Sequence, residues 1–394
     1  MARIRTYNKI APEGLAILEN RGHQVSPDVE DPDAILVRSA KLHDIELGAS
    51  LKAIARAGAG VNNVPVERCT DAGIVVFNTP GSNANSVKEL VVAGLMLSSR
   101  KIIDGYIWTQ QLDPAATDVA KEVESGKSAF AGPEVAGKKL GVIGLGAIGV
   151  MVANIGEALE MEVVGYDPYL SVENAWGLSR SVRRAGSLEA LMAEVDYVTL
   201  HAPLNDATRG LISTELLKRA KPGIRILNFA RGGLVDNAAI LSAIAGGTVS
   251  YYVTDFPEGE LVGVDGVITI PHLGASTPEA ETNSAVMAAR QLADYLEKGN
   301  VRNGVNVPNC TMDGNGGDRI VFVNRNVPNM VGQVTTLLAE AGLNISDMIN
   351  RHQGDLAYNI IDIDSTVDSA VAEKIRAIEG IIRLRVIPAQ EDTV

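Results

Sequence analysis

A glycine-rich turn between a predicted strand and a predicted helix constrains this chain more than any other feature of its sequence. The apolar run Lys139–Ile143 has the length of a buried strand, and residues 144–149 follow it with the spacing G-x-G-x-x-G. Asp167 lies eighteen residues beyond the last of these glycines, directly after the next predicted strand, Glu162–Tyr166. This order indicates a dinucleotide site, because the glycines let the backbone approach a pyrophosphate and the helix start offers unpaired N–H groups.

The acid also predicts which dinucleotide binds. A carboxylate at Asp167 can accept hydrogen bonds from both adenosine ribose hydroxyls and repels a 2′-phosphate, which favours NAD over NADP. The alternative is a glycine-rich turn in another kind of α/β domain, with Asp167 as a helix cap.

Polar and glycine residues also follow the later predicted strands, and ligands of open parallel sheets bind beyond the carboxyl ends of strands. The residues predicted to contact NAD are therefore Gly144, Gly146, Ala147, Ile148, Gly149, Asp167, His201, Pro203, Phe229, Ala230, Arg231, Asp255, His272, Gly274 and Ala275.

Short apolar runs alternate with helical patterns along most of the chain, which predicts α/β layers with parallel sheets. Long helices are predicted over Ser86–Ile103, as a connector between lobes, and over Pro278–Lys298, returning to the first lobe. The predicted strands are Ala34–Arg38, Leu51–Ala55 and Ile74–Asn78 in a first set, and Lys139–Ile143, Glu162–Tyr166, Tyr197–His201, Ile224–Asn228, Tyr251–Thr254 and Val267–Ile270 in a second. The second set is sufficient for one Rossmann-type, doubly wound sheet.

The end of the chain has a different pattern. Asn303–Asp318 is rich in Asn, Gly and Asp and predicts a linker. The rest follows the order strand, helix, strand, strand, helix, strand, which is typical of a small ferredoxin-like unit. Its predicted strands are Ile320–Asn324, Asn344–Ile349, Ala357–Asp362 and Ile382–Ile387.

Charge and composition exclude several classes of function. The net charge of −13 and the pI near 5.0 argue against nucleic acid and anionic membranes as partners. Two cysteines, Cys69 and Cys310, form neither a disulfide framework nor a metal cluster. We therefore expect no metal site. The first residues lack the apolar stretch of a signal peptide, so we expect a cytoplasmic protein.

Three residue types near the predicted strand ends match the needs of hydride transfer from an alcohol. His272 can accept the hydroxyl proton, because the pKa of histidine lies near neutrality. Arg231 can hold a substrate carboxylate and polarise the developing carbonyl. Glu260 can stabilise the protonated imidazole. Taken singly, His272 could be a strand-end histidine bonded to backbone and Glu260 a surface acid.

With these residues in place, the chain resembles the D-2-hydroxyacid dehydrogenase family. The stretches that carry the resemblance span residues 34 to 298 and are Val37–Ser39, Arg56–Val61, Asn78–Asn83, Gly144–Gly149, His201–Leu204 with Thr208, Asn228–Gly233 and Pro271–Thr277. The resemblance implies that Arg231, Glu260 and His272 are the catalytic arginine, glutamate and histidine. Glu258 is the alternative to Glu260, although the spacing of twenty-nine residues from Arg231 favours Glu260.

Within that family the chain is most similar to members that oxidise 3-phospho-D-glycerate with NAD⁺, giving 3-phosphooxypyruvate for L-serine biosynthesis. A substrate with a carboxylate and a phosphate needs cations at two places, and Arg38, Arg56 and Lys127 could supply the second; each could instead form a surface ion pair. The expected substrate contacts are Arg38, Ser39, Arg56, Ala57, Gly58, Asn83 and Lys127. The alternatives are another 2-hydroxy acid, such as glycerate, glyoxylate or hydroxypyruvate, or an NAD-sensing regulator without catalysis.

Residues 319–394 resemble an ACT domain, a small amino-acid-sensing module that often pairs edge to edge. The resemblance implies a serine site at a pair of such modules, with Asn326 and Asn344 as the matching asparagines and Asn324 where relatives have histidine. The alternative is an ACT fold that serves only oligomerisation.

These inferences give an expected domain plan. A flavodoxin-like substrate domain is expected from residues 1–90 and 275–308, with the NAD-binding domain, residues 91–274, inserted in it. A linker at 309–318 leads to the ACT module at 319–394. We expect a homodimer or homotetramer.

Overall fold

The computed structural model describes residues 1–115, 118–314 and 316–389. They form two compact units, one made of residues 1–82 with 281 onward and the other of residues 83–280. The chain therefore passes between the units at 82–83 and again at 280–281, close to the expected domain boundaries. None of the helices in these ranges is both long and apolar enough to cross a membrane.

The first unit contains a parallel sheet with the strand order β2-β1-β3-β4-β5, the flavodoxin-like order. Its strands are β1 (Arg3–Tyr7), β2 (Gln24–Ser26), β3 (Ala34–Val37), β4 (Ala53–Arg56) and β5 (Val75–Phe77), accompanied by α1 (Pro12–Glu19) and α2 (Val66–Asp71). The sequence analysis missed β1 and β2 because neither is an apolar run: only Ile4 of β1 is fully buried. The central strands β3 and β4 were recognised because nearly all of their side chains are buried.

The predicted linker is wrong in its first part. Val305 N donates to Val76 O at 2.8 Å, and Asn306 accepts from Val76 N and donates to Ile74 O, both at 2.9 Å. Val307 and Cys310 are buried in the core. Asparagine-rich composition usually marks loops, but here an asparagine amide satisfies the backbone of the edge strand β5 in place of a neighbouring strand.

The second unit contains a parallel sheet with the order β12-β11-β10-β9-β6-β7-β8, the Rossmann order with one added strand. The strands are β6 (Lys139–Ile143), β7 (Glu162–Tyr166), β8 (Arg183–Arg184), β9 (Tyr197–Leu200), β10 (Ile224–Asn228), β11 (Val249–Thr254) and β12 (Val267–Thr269). The helices are α3 (Ala84–Ser99), α4 (Ile102–Gln110), α5 (Val119–Gly126), α6 (Ala147–Ala158), α7 (Val172–Gly177), α8 (Leu188–Glu194), α9 (Thr214–Leu217) and α10 (Asn237–Ala245). The two-residue strand β8 was not predicted, because it is exposed and doubly charged.

The predicted helix Ser86–Ile103 is two helices. The α3 helix ends at Ser99, Arg100 is extended, and α4 begins at Ile102. Ser98 and Ser99 both donate their hydroxyls to Leu95 O, a local bond that competes with helix continuation. By contrast, the long helix α11 (Pro278–Lys298) has the predicted bounds.

The C-terminal segment forms an antiparallel sheet with the order β14-β15-β13-β16, as expected for a ferredoxin-like unit. Its elements are β13 (Arg319–Arg325), α12 (Met330–Glu340), β14 (Ile345–Gln353), β15 (Leu356–Ile363), α13 (Ser369–Arg376) and β16 (Ile381–Ile387). One face, including Phe322 and Ile361, packs against α12 and α13. The other face, including Val321, Tyr358 and Ile360, shares a core with α11 and the first sheet.

Polar contacts reinforce this second face. Arg385 donates to Tyr295 O and Leu296 O at 3.2 and 2.7 Å, and Tyr358 OH donates to Gly299 O at 2.6 Å. Arg319 donates to Lys298 O at 2.8 Å while its guanidinium forms a buried two-pronged pair with Asp362. Cationic donors at a helix C-terminus satisfy its free carbonyls and complement its dipole. The C-terminal sheet therefore holds the end of α11.

Candidate active site

The predicted glycine turn has the geometry of a phosphate cradle. Gly144 has φ of +90°, and a Cβ on it would lie 2.7 Å from the carbonyl carbon of His201. A Cβ on Gly149 would lie 1.9 Å from Gly144 O, whereas one on Gly146 would meet no atom within 4 Å. Gly146 is the N-cap of α6, and no side chain caps the N–H groups at the start of that helix. Such a helix start binds anions.

Asp167 lies where the adenosine ribose was expected. Its two carboxylate oxygens accept from Leu145 N at 2.8 Å and Tyr169 N at 2.7 Å, which fixes the side chain. The adjoining pocket of about 330 Å³ is lined by apolar side chains together with Arg183 and Arg184. The sequence analysis did not identify these two arginines, because the short strand that carries them was missed.

His201 directly follows β9 and is half-buried. Its Nε2 lies 2.9 Å from Thr199 Oγ1, and its Nδ1 is buried without a hydrogen-bond partner among the described residues. Burial lowers the pKa of His201 to about 3, so the ring stays neutral. Pro203 follows on an exposed loop. A buried nitrogen without a partner at this edge of the sheet fits contact with a cofactor.

Arg231 is presented by a turn that Asn228 holds in place. Asn228 Oδ1 accepts from Ala230 N and Arg231 N at 3.2 and 3.3 Å, and its Nδ2 donates to Arg231 O at 2.8 Å. Phe229 within this turn is buried, whereas Arg231 itself is exposed. The positioning role of Asn228 was not predicted, because an asparagine after a strand is equally typical of an ordinary turn.

His272 lies at the same edge of the sheet, after β12. Its ring packs on Phe256 with 4.7 Å between ring centroids, and the side chain is exposed. Nearby Asp255 is fully buried, and its Oδ2 accepts from Gly274 N at 3.1 Å while Oδ1 has no partner within the described chain. Burial raises the pKa of Asp255, opposed in part by the hydrogen bond from Gly274 and by the positive charge of His272. Ala275 follows as an exposed residue.

The two candidate glutamates differ in their surroundings. Glu258 Oε2 accepts from Asn237 Nδ2 at 2.8 Å, and its Oε1 lies 3.2 Å from where a Cβ on Gly232 would stand. Glu260 is exposed, and its side chain forms neither a hydrogen bond nor an ion pair with other described residues. Within the ranges described, neither glutamate bonds to His272. The structure therefore brings Glu258 next to the arginine turn and leaves both assignments as predictions.

In the other unit, the expected substrate residues lie at the carboxyl ends of β3 and β4. Arg38 pairs with Glu281 at 2.5 Å, and Arg56 Nε donates to Arg38 O at 3.0 Å. Gly58 has φ of +152°, a conformation that favours glycine, and a Cβ on it would displace the Arg56 guanidinium, since it would lie 2.1 Å from Nη1. Ala57 between them is buried.

Two asparagines that the sequence analysis did not assign hold the loop after β3. Asn8 Oδ1 accepts from Ser39 N and Ala40 N at 3.0 and 2.6 Å. Asn63 Nδ2 donates to Ala40 O at 2.8 Å, and its Oδ1 is buried without a partner in the described chain. Asn8 directly follows β1, so the missed strand also concealed this residue.

The remaining expected substrate residues belong to the second unit. Asn83 stands just before α3, and its Oδ1 is buried without a partner among the residues described. Lys127 is exposed and pairs with Glu124 on the same short helical segment. The ion-pair alternative therefore holds in this structure for Lys127 with Glu124 and for Arg38 with Glu281. The described chain contains no group of three or more His, Cys, Asp or Glu residues that could hold a metal ion.

Asn324 and Asn326 lie at one end of the C-terminal sheet, and Asn344 lies at the other end within the same chain. Asn324 is buried in β13, donates to Arg325 O at 2.6 Å and accepts from Asn359 at 2.7 Å. Asn326 follows that strand, where Arg325 pairs with Leu356, whereas Asn344 precedes Ile345, which pairs with Ile363. Asn326 and Asn344 are thus at opposite ends of the sheet.

Comparison with known proteins agrees with this geometry. A family model described as D-isomer specific 2-hydroxyacid dehydrogenase, NAD binding domain, matches residues 99–274. A D-3-phosphoglycerate dehydrogenase of Methanocaldococcus jannaschii is 33% identical over 92% of this chain and 70% of its own length. The D-3-phosphoglycerate dehydrogenases of Synechocystis and Mycobacterium tuberculosis are 36% and 39% identical to this chain. The chain spans only 57% and 58% of their length.

A solved structure gives the same picture. The NAD⁺-bound 3-phosphoglycerate dehydrogenase of Entamoeba histolytica covers 77% of this chain and 98% of its own, with a TM-score of 0.59 and 28% identity. The glycine cradle, the fixed carboxylate of Asp167 and the polar residues at the sheet edge all lie in the region that the family model matches. The chain belongs to the D-isomer specific 2-hydroxyacid dehydrogenase family.

Proposed function

We propose that the chain oxidises 3-phospho-D-glycerate to 3-phosphooxypyruvate with NAD⁺, the first step of L-serine biosynthesis. The observation that carries this proposal is the placement of Arg231, Asp255 and His272 at the same sheet edge as the glycine cradle. The names of the relatives above, each a phosphoglycerate dehydrogenase, support the choice of substrate.

The residues around the cradle fit the cofactor. The open space over Gly146 suits a pyrophosphate, and Asp167 suits the adenosine ribose. The unpartnered atoms His201 Nδ1 and Asp255 Oδ1 offer hydrogen-bonding groups for polar parts of a ligand, such as an amide. The remaining contacts would come from the backbone beside Pro203, Phe229, Ala230, Gly274 and Ala275. When bound, NAD⁺ supplies the hydride acceptor.

The protein side chains carry the rest of the chemistry. Arg231 binds the substrate carboxylate through its planar fork of donors and polarises the carbonyl as it forms. His272 takes the C2 hydroxyl proton onto an imidazole nitrogen as the hydride leaves the same carbon. A glutamate, Glu260 or alternatively Glu258, stabilises the resulting imidazolium.

Arg38 and Arg56 supply positive charge for the substrate phosphate, together with Ser39, Ala57, Gly58 and Asn83 as further contacts and Lys127 as a third cation. Arg38 and Arg56 end neighbouring strands, so their charges lie at one edge of the sheet. Arg38 would exchange Glu281 for the phosphate when substrate binds.

We further propose that two copies pair through the C-terminal sheets and that L-serine binds at the pair. The strand β14 is exposed over most of its nine residues and has a partner on one side only in the described sheet. Within one copy, Asn326 and Asn344 lie at opposite ends of the sheet. Antiparallel pairing of two β14 strands would place these opposite ends side by side, so that Asn326 of one copy approaches the residue of the partner copy that corresponds to Asn344. Exposed apolar side chains on α4, including Ile102, Tyr106 and Ile107, support a second contact between copies.

One assay tests the catalytic proposal. The purified chain is given NAD⁺ and a panel of acids: 3-phospho-D-glycerate, glycerate, lactate and 2-hydroxyglutarate, with the matching 2-oxo acids and NADH in the reverse direction. The proposal expects the highest kcat/KM with the phosphorylated substrate. A higher value for an unphosphorylated acid assigns another substrate of the same class, and NADH binding without turnover assigns a sensor.

A further inference from the structure

An open groove in the first unit runs along α11, and none of the residues assigned above line it. Its volume is about 900 Å³, within the range of sites that hold small molecules. The helix α1 contributes Ile17, Asn20 and Arg21 to one wall. One face of α11 forms the floor, where the half-buried Val286 and Met287 give it an apolar base.

The groove is strongly basic for a protein of net charge −13. Four cationic side chains line it, Arg21, Arg290, Lys298 and Arg302, against one acid, Asp294. A local excess of positive charge in an acidic protein draws small anions from solution.

Two of these cations are available to a ligand. Arg21 is paired with Glu297 at 2.7 Å, and Arg302 with Asp294 at 3.7 Å. Arg290 and Lys298 form no ion pair within the described parts of the chain, and the acid between them is already engaged by Arg302. They stand eight residues apart on α11, about 12 Å along the helix axis. Long side chains with this separation suit a molecule with acidic groups at both ends.

The position of the groove gives it a consequence for catalysis. Gly81, Ser82 and Asn283 line it, next to the points where the chain passes between the two units. The hydroxyls of Ser82 and Ser284 lie 2.7 Å apart and are buried, so the two crossing segments are tied together. Hinges that set domain closure consist of a few such residues at the ends of elements.

We propose that this groove is a second binding site, which takes a small organic or inorganic anion with at least two acidic groups and alters turnover through the crossing segments. The binding part stands independently of the reaction, whereas the effect on turnover rests on the proposed dehydrogenase function.

Isothermal titration calorimetry with citrate and with inorganic pyrophosphate, at constant ionic strength, tests the binding. NADH is present at saturation to occupy the glycine cradle, and each titration is repeated without it. The test variant is Arg290→Gln with Lys298→Gln, which leaves the backbone carbonyl of Lys298 free to accept from Arg319. The matched control is Lys121→Gln with Lys374→Gln, which removes the same charge from two exposed positions.

The proposal expects wild type and control to bind one of the two probes at millimolar concentration or below, and the test variant to bind it about tenfold or more weakly, since each charge-assisted contact is worth more than a factor of ten. Preference between the probes distinguishes carboxylate from phosphate ligands. Failure of wild type to bind either probe, or equal binding by the test variant, overturns the site. In parallel, the bound probe should change kcat or KM in wild type and control only; an identical change in the test variant overturns the regulatory part.

Discussion

The carboxylate of Asp255 accepts a hydrogen bond from the backbone N–H of Gly274 at 3.1 Å, which ties the end of β11 to the turn that carries His272. This bond satisfies only one of the two carboxylate oxygens, and the residue is fully buried. The folded protein therefore holds a carboxylate that is more costly to ionise than in the unfolded chain. Such strain is common at functional sites, where a ligand can relieve it.

The first prediction concerns Asp255→Asn. Because the pKa of Asp255 is raised in the folded state, stability is lost as the pH rises above the unfolded pKa, and the loss is complete once the pH exceeds the folded pKa. The amide mimics the protonated acid and still accepts from Gly274. We expect a higher Tm than wild type at pH 7 and a difference that shrinks as the pH falls towards the unfolded pKa of about 3.9. The exposed variant Asp206→Asn is the control, and a difference independent of pH would contradict the argument.

The second prediction separates the base from its partner. His272→Ala should lower kcat by roughly 10²–10⁴-fold, the usual cost of losing a general base, while NADH binding measured by fluorescence is retained. Glu260→Gln should lower the pKa seen in the kcat/KM profile, because it removes a carboxylate that stabilises the imidazolium. Glu258→Gln is the matched comparison. If only Glu258→Gln moves the profile, the partner is Glu258.

The third prediction concerns cofactor choice. Asp167→Ala removes an acceptor for the ribose hydroxyls and the repulsion of a 2′-phosphate. The ratio of kcat/KM for NAD⁺ to that for NADP⁺ should therefore fall, helped by Arg183 and Arg184 in the same pocket. An unchanged ratio would show that Asp167 does not contact the ribose.

The fourth prediction concerns the buried pair of Arg319 and Asp362, whose side chains are 5% and 1% exposed. Arg319→Met leaves a buried charge without a partner and should lower the free energy of unfolding by about 3–5 kcal/mol. Urea denaturation measures it. The double variant with Asp362→Leu should be more stable than Arg319→Met alone, since it removes the stranded charge. If the double variant is less stable than Arg319→Met, the unpaired charge of Asp362 is not the source of the lost stability.

The fifth prediction concerns the effector. L-serine should bind the full chain in calorimetry, and Asn344→Ala should weaken the binding. A coupling of roughly 1–3 kcal/mol is typical of allostery and would change activity measurably. Inhibition should be weaker than in relatives with histidine at the position of Asn324, whose amide is already bonded to Asn359. No binding of serine at millimolar concentration would leave the module with a role in assembly only.

Sequence reasoning reached those parts of the fold in which the local pattern and the burial agree. Strands such as β6 and β10, buried on both faces, appear as apolar runs, and α11 has a clear amphipathic period. The strand β1 does not appear as an apolar run. It lies near the sheet edge, and its alternating charged residues are half-exposed. Asn8, which follows β1, was not predicted either, because its role depends on a loop more than thirty residues away.

The site shows the same division. Arg231 and His272 could be proposed from the sequence because their residue types and their positions after strands point to one chemistry. The pairing of Arg38 with Glu281 joins residues 243 positions apart, and no local pattern encodes such a contact. The asparagine bonds that hold the turns at Arg231 and Ser39 were invisible for a similar reason, since they depend on backbone geometry rather than on residue type.

The core shared by the first sheet and the C-terminal sheet also sets an order of events during synthesis. Residues 83–280 are continuous and hold their own core, so this unit can fold as soon as it leaves the ribosome. One face of the first sheet must wait, because Phe77 packs against Tyr295 and the same core is completed by Tyr358. The other face, with Ile35 and Leu51, is packed by residues of the N-terminal segment itself. Almost the whole chain must therefore be made before the first of these faces is covered, and that face is exposed to chaperones and proteases in the meantime.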